Sequence, residues 1–300
     1  MARRATKGRE PCRVRRDGVM RLPDLNQLSE PSHHFLYHHD LDEFHCTDSR
    51  AFSHRMYMAR FEAVLKAVNS SRESLGKSAR DTRILDIGCA QGNYSLTLAE
   101  QGFRVFAVDL QLSFLRYARL KHESGALHCI NATLEALPLR GSFDIILLGE
   151  VIEHVAYPDI LLQSMGRLLT PSGCVILTTP NGERLHTRMP TLSQVKDRAA
   201  LVAKQFQPDA DGHLYLLTRY ELETEVQGAG LKIVHHRYFG TPWVTGRIKF
   251  RFIVRFLPIR LASFLDKFFL MVPSVAKLFA EGQLVVARGA ESTPLNTSVL

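Results

Sequence analysis

Residues 84–102 read ILDIGCAQGNYSLTLAEQG: an apolar, β-branched run that breaks at Gly88, stays small at Ala90 and Gly92, and resumes with helical spacing. Few local structures satisfy that order. A buried strand delivers the chain into a turn where glycine lets backbone N–H groups approach a ligand closely, and the following helix presents its positive end to the same place. The next apolar run, RVFAVD, ends in an acid, Asp109, 21 residues after Gly88. A carboxylate at the end of that second strand stands where it can accept both hydroxyls of a ribose.

The rest of the chain continues the pattern. Short apolar runs at 83–87, 104–109, 126–130, 143–149, 174–180, 231–236 and 283–288 predict seven strands. Helical spacing predicts helices at 93–101, 112–123, 159–169 and 219–227, with Gly102, Gly228 and Gly230 as C-terminal stops. Between 51 and 68, Tyr57, Phe61, Leu65 and Val68 share one face of a further helix that caps the fold. Strand and helix in alternation predict an α/β fold: a Rossmann-like, seven-stranded, mostly parallel sheet with helices on both faces, an N-terminal cap and a helical insertion before the last strand. The expected division is a basic disordered arm at 1–30, a cap or lid at 31–80, and one domain at 81–300 with insertions at about 181–217 and 237–281.

Composition narrows the class. With 45% hydrophobic and 23% charged residues the 300-residue chain has material for a core, which excludes a mostly disordered or collagen-like protein. No run of 18 apolar residues is present, so no spanning helix is expected. Eight Arg and Lys precede Asn26 with no apolar run behind them, which argues against a secretory signal. Five scattered cysteines without a CxxC pair point to a reducing, cytoplasmic setting and no zinc ribbon. The net charge of +8 favours an anionic partner, whether nucleic acid, acidic lipid or a phosphorylated substrate.

The turn and Asp109 suit either a nicotinamide dinucleotide or S-adenosylmethionine. A G-x-G-x-x-G frame begun at Gly88 would place Ala90 and Asn93 at its second and third glycines, so the dinucleotide reading, an NAD-dependent oxidoreductase, is the weaker. From about Thr82 to Gly182, and more loosely to Arg288, the chain resembles the class I S-adenosylmethionine-dependent methyltransferases. Asp86, Gly88, Cys89, Ala90 and Gly92 match the family's first motif, with Ala90 in place of its middle glycine. The resemblance implies that Asp109 and Leu110 hold the ribose side of the donor. It further implies that Asn131 and Ala132, in INATLEALPL, hold the adenine side, and that Glu150 orders the donor loop. Asn131 stands where an Asp is common and keeps an acceptor oxygen for the adenine amine. GSFDIILLGEVIEHVAYPDILLQSMGRLLTPSGCVILTTPN, residues 141–181, matches the family's fourth strand, helix, Pro-Ser-Gly turn and fifth strand.

Within it, EVIEHV places Glu150, Glu153 and His154 at i, i+3 and i+4 of a helical turn. The string resembles the E-x-x-E-H of ubiquinone-pathway O-methyltransferases and of small-RNA 3′-end ribose methyltransferases. That likeness implies a divalent metal, Mg²⁺ or Mn²⁺, on Glu150, Glu153 and His154. The alternatives are His154 as a metal-free general base assisted by Glu153, or a purely structural turn. His213 is a further candidate, read first as a lid residue. Six of the 13 histidines fall between His33 and His54 without zinc spacing, and that segment reads as a lid. The stretch from Trp243 to Phe279 interleaves aromatic residues with seven Arg or Lys against one Asp. It reads as a substrate-binding insertion or a peripheral contact with anionic membrane.

The expected function is S-adenosylmethionine-dependent O-methylation of a small-molecule or lipid-like acceptor. The alternatives are a metal-dependent RNA ribose methyltransferase and a catalytically silent binding protein of the same fold. Nucleic acid is the weaker partner, and the sequence carries no signal for oligomeric state.

Overall fold

A strand buried on both faces has no water for its amides, so each apolar run must pair with another. In the computed structural model, which describes residues 22–46, 52–134, 137, 139, 141–185, 187–205, 212–241 and 259–289, all seven runs do so. They form β1 (Arg83–Ile87), β2 (Arg104–Asp109), β3 (Ala126–Asn131), β4 (Phe143–Gly149), β5 (Leu169–Pro180), β6 (Leu231–Phe239) and β7 (Gly282–Gly289). Their order in space is β3-β2-β1-β4-β5-β7-β6. Strands β1 to β5 pair in parallel, while β7 is antiparallel to both β5 and β6.

The helices are α1 (Pro31–Glu43), α2 (Phe52–Ser74), α3 (Asn93–Glu100), α4 (Leu112–Lys121), α5 (Pro158–Leu168), α6 (Ala199–Val202), α7 (Arg219–Gly228), α8 (Ile259–Met271) and α9 (Pro273–Phe279). Alternation along the strands sorts the core into two layers. Leu85, Ile87, Ile146, Leu148, Val175 and Leu177 pack with Leu162 and Met165 of α5 and Leu222 and Val226 of α7. Their neighbours Ile84, Ile145, Leu147 and Ile176 pack on the other side, with Val64, Ala67 and Val68 of α2 and Leu98 and Ala99 of α3. Helices therefore cover both faces.

Two expectations change. The Pro-Ser-Gly turn at 171–173 is strand: β5 starts at Leu169, and three extra residues are absorbed where its pairing slips from Phe143 with Leu169 to Ile145 with Cys174. Capture by β4 overrides the turn chemistry of proline and glycine. The capping helix runs six residues past Val68, to Ser74. Four histidines of the histidine-rich segment, His33, His34, His38 and His39, lie on the regular helix α1, with Pro31 in its first turn. Of the basic arm, 1–21 lie outside the described residues, as do 242–258 of the second insertion. Among the described cysteines, Cys89, Cys129 and Cys174 are free thiols.

A buried charge cluster fastens α1 to the sheet domain. The Asp40 carboxylate accepts hydrogen bonds from Lys121 Nζ at 2.7 Å, Tyr117 Oη at 2.9 Å and Asn93 Nδ2 at 2.9 Å. Lys121 Nζ also donates to Asn93 Oδ1 at 2.7 Å. Asp40 and Lys121 are each 1% exposed, and burial lowers the pKa of Lys121 while Asp40 pulls it back. Asn93 opens α3 directly after Gly92, so the clamp ties the cap to the glycine turn. Removing one partner strands the other charge in a dry site. Lys121→Ala is expected to cost about 3 to 5 kcal/mol, read by urea denaturation.

Candidate active site

The strand order reverses between β1 and β4: β2 and β3 lie to one side, β5 to the other. At such a point the loops leaving the carboxyl ends diverge and open a crevice. Three residues of the first loop take the left-handed conformation, Gly88 at φ +66°, Ala90 at +47° and Gly92 at +77°. A Cβ on Gly88 would lie 2.8 Å from Val151 Cγ2, and one on Gly92 2.8 Å from Ala118 Cβ, so both glycines are required by packing as well as by φ. Ala90 holds the strained angle with a side chain, and its amide is fixed by Asp109 Oδ2 at 2.8 Å. Asp109 Oδ1 takes the Gln111 amide at 2.8 Å. Gly88 and Cys89 donate to Val108 O at 2.9 and 3.0 Å, which completes the tie between the turn and the end of β2.

Asn131 pairs with Asp109 across β2 and β3. Its Nδ2 donates to Asp109 O at 3.0 Å and Leu110 O at 2.7 Å, which leaves Oδ1 as the outward acceptor. Ala132 N adds a bond to Asp109 O at 3.3 Å, and Leu110 stands exposed beside the pair. Asp86 is buried beneath the turn and accepts Ser95 Oγ at 2.5 Å. Burial pushes its carboxyl up to about 7, against the bonds from Ser95. Burial likewise holds the Cys89 thiol well above its ordinary range, so it is an inert wall rather than a nucleophile.

The second loop leaves β4. Glu150 is left-handed at φ +56°, and a one-turn 3-10 helix follows at Ile152–His154. Tyr215, from the first insertion, pins that turn: its hydroxyl lies 2.8 Å from Ile152 O and 2.7 Å from Val155 O. Leu214 N donates to Glu153 O at 2.9 Å. The same insertion delivers His213, whose ring centroid is 5.0 Å from that of His154 and whose Nε2 is 3.9 Å from Glu153 Oε1. Ligand atoms of Glu153, His154 and His213 all lie within 4.8 Å of one another. Glu150 stands apart from this cluster, because its Oε2 pairs with Arg60 Nη1 at 3.1 Å. The set expected from the sequence thus exchanges Glu150 for His213.

Burial, and then the charge of Glu150, pushes the Glu153 carboxyl well above its ordinary range. Burial lowers both His154 and His213. Burial thus favours the uncharged form of all three facing groups. Glu150 Oε1, both carboxylate oxygens of Glu153, and the hydroxyls of Thr178 and Thr179 are buried without a partner in hydrogen-bonding geometry. Unsatisfied buried polar atoms carry a cost, and their concentration at one edge marks a place built for a polar ligand.

Sequence reasoning missed Arg60 and Tyr94. Arg60 sits on α2 one turn after Tyr57, with its guanidinium 5.3 Å from the Tyr57 ring centroid. Tyr94 stacks on Phe61 at 5.1 Å, against Gly149. The available signal was an arginine next to Phe61, beside the apolar face that the helical spacing defines.

Two expectations follow. Left-handed alanine costs roughly 1 to 2 kcal/mol, and glycine returns part of that through unfolded-state entropy. Ala90→Gly should therefore raise stability by about 0.5 to 1 kcal/mol in urea denaturation. Asp86 keeps its proton in the folded chain up to pH about 7, whereas the unfolded chain releases it near 3.8. Its raised pKa contributes stability in full below pH 3.8 that is lost as pH rises towards 7. Denaturation across that range should show the loss in the wild type and a flatter profile in Asp86→Asn.

Comparison with known proteins points to one family. A family model described as a methyltransferase domain matches residues 53–236. A ubiquinone biosynthesis O-methyltransferase from Caulobacter sp. (strain K31) is 30% identical over 204 residues, which is 66% of this chain and 75% of that protein. The protein of the same description from Rickettsia prowazekii (strain Madrid E) is 31% identical over 130 residues, 43% of this chain and half of that protein's length. Among solved structures, an S-adenosylmethionine dependent methyltransferase from Mesorhizobium loti overlays 74% of this chain and 97% of its own at 20% identity, with a TM-score of 0.49. With its domain matched over 53–236 and the glycine turn, Asp109 and the Glu153 loop inside that span, the chain belongs to the methyltransferase-domain family and is similar to ubiquinone biosynthesis O-methyltransferases.

Proposed function

We propose that this protein methylates an oxygen of a small, lipid-like acceptor, with S-adenosylmethionine as donor. The observation that carries the reading is the convergence of Glu153, His154 and His213 at the carboxyl edge. A hydroxyl acceptor must lose its proton as it attacks, and an imidazole kept neutral by burial is ready to take it. The relatives described as ubiquinone biosynthesis O-methyltransferases support an oxygen acceptor of this type.

The turn fits the donor. Asp109 has an unshared lone pair on each oxygen after binding Ala90 and Gln111, which suits a ribose diol. Asn131 Oδ1 and Leu110 offer an acceptor and an apolar wall for the purine. When bound, the donor supplies an electrophilic methyl group on a sulfonium. The chain's part is to hold the acceptor oxygen in line with that group and to exclude water.

The same convergence supports a second reading. One carboxylate and two imidazoles within reach of one cation form a fitting donor set, and the unpartnered oxygens of Glu153 would ionise onto it. A divalent ion there would acidify the acceptor hydroxyl. Two nitrogens and one carboxylate favour Mn²⁺ over Mg²⁺.

Calorimetry and turnover separate these readings. Asp109→Ala should weaken S-adenosylhomocysteine binding by about 1 to 3 kcal/mol, and unchanged affinity would remove Asp109 from the donor site. Release of S-adenosylhomocysteine should be supported by quinol or phenolic lipid pools rather than RNA. Full turnover in excess chelator, with no Mn²⁺ binding heat, would leave His154 as base. Loss restored by Mn²⁺ in the wild type, and in neither His154→Ala nor His213→Ala, would establish the metal.

A further inference from the structure

α8 carries apolar residues on both of its sides, and only one side has a partner within the described residues. Inward, Asp266 accepts Thr241 N at 2.9 Å and Thr241 Oγ1 at 2.5 Å. Leu270 packs there with Tyr238, Ala276 and Ala280. Outward, Leu261, Phe264, Phe268 and Met271 recur at three and four residues and so form one stripe. Phe264 is 63% exposed, Phe268 56% and Met271 78%, and Val272 extends the stripe. A single exposed phenylalanine is ordinary, but a contiguous row is what an interaction surface looks like.

Charge identifies the occupant. Residues 237–281 contain eight cations, Arg237, Arg247, Lys249, Arg251, Arg255, Arg260, Lys267 and Lys277, against two acids, Asp266 and Glu281. Both acids are turned inward: Asp266 is spent on Thr241, and Glu281 is 3% exposed and paired with Arg184. Lys267 stands exposed beside the stripe, and Lys277 on α9 is exposed with its Nζ 3.4 Å from Glu183 Oε1. A second copy would bring like charge against like. An anionic lipid surface offers both the apolar phase for the stripe and the countercharge for its flanks. No helix among the described residues is long and apolar enough to cross a membrane, so the arrangement is one that lies on a bilayer.

We propose that α8 and α9 form a surface that docks flat on a bilayer containing anionic lipid. The surface adjoins the site. Asn181, which follows β5, donates from Nδ2 to Lys277 O at 2.8 Å and Ala280 O at 2.9 Å, and Leu185 N donates to Leu278 O at 2.9 Å. α9 is thereby fastened to the carboxyl edge that carries Thr178 and Thr179. Docking holds that edge at the lipid surface, where an acceptor dissolved in the bilayer reaches it without crossing bulk water. This last consequence rests on the lipid-like acceptor proposed above; the docking does not.

Flotation of the full chain with large vesicles tests it, using phosphatidylcholine alone and phosphatidylcholine with about 30% phosphatidylglycerol. The protein should float with the anionic vesicles at low salt and be released as salt rises. Phe264→Ser combined with Phe268→Ser should lower the partition coefficient by about tenfold or more. Lys267→Glu should lower it too and flatten its salt dependence. Both variants should keep the wild-type melting curve and S-adenosylhomocysteine affinity, because the changed side chains are exposed and outside the site. Wild type that stays unbound at low salt, or phenylalanine variants that float like wild type, would overturn the proposal. So would a dimer in sedimentation velocity without vesicles that the phenylalanine changes dissociate, since the stripe would then belong to a second copy. Flotation without any S-adenosylhomocysteine binding would sink the methyl-transfer reading and leave the docking standing.

Discussion

The carboxylate of Asp109 closes the glycine turn. One oxygen holds the amide of Ala90, the other that of Gln111, and the carbonyl of the preceding Val108 takes Gly88 and Cys89. Four amides that a loop would otherwise leave to water are thus satisfied by the last two residues of β2. The turn is consequently rigid before any ligand arrives, which reduces the ordering cost of binding. Ala90 remains left-handed only because this staple outweighs the strain of its Cβ. The staple in turn depends on the parallel register of β1 and β2, which sets Asp86 opposite Ala107 and Ile87 opposite Val108.

On the other side of the crevice the logic is inverted, since polar atoms are buried and left unmatched. Glu153 and the hydroxyls of Thr178 and Thr179 contribute nothing to the fold in that state, and Glu150 adds a left-handed backbone. Packing compensates. Phe61 stacks with Tyr57 at 5.8 Å and with Tyr94 at 5.1 Å, and Phe44 meets Phe61 edge-on at 5.1 Å. This ladder roofs the crevice and carries Arg60 to Glu150. The cap therefore supplies charge as well as cover, and the buried pair of Asp40 and Lys121 ties its first helix to the start of α3. Stability is given up at the edge where chemistry is done and recovered in the layers around it.

Much of this was legible in the chain. Seven apolar runs, the small residues at 88, 90 and 92, and the acid at 109 follow local rules of period and turn chemistry, and these operate within a few residues. They determined the sheet, the glycine turn and the neighbourhood of Glu153 and His154. The misreadings share one cause, which is that the deciding partner was distant in sequence. β4 turned Pro171–Gly173 into strand. Arg60, 90 positions before Glu150, claimed the acid that spacing had assigned to the metal turn. Tyr215 and Leu214 brought His213 onto a loop about 60 residues earlier. Period and composition determine which residues can share a face; which faces meet, and which charges cancel, is decided by the packing of elements far apart in the chain, because burial energy depends on area covered rather than on sequence distance.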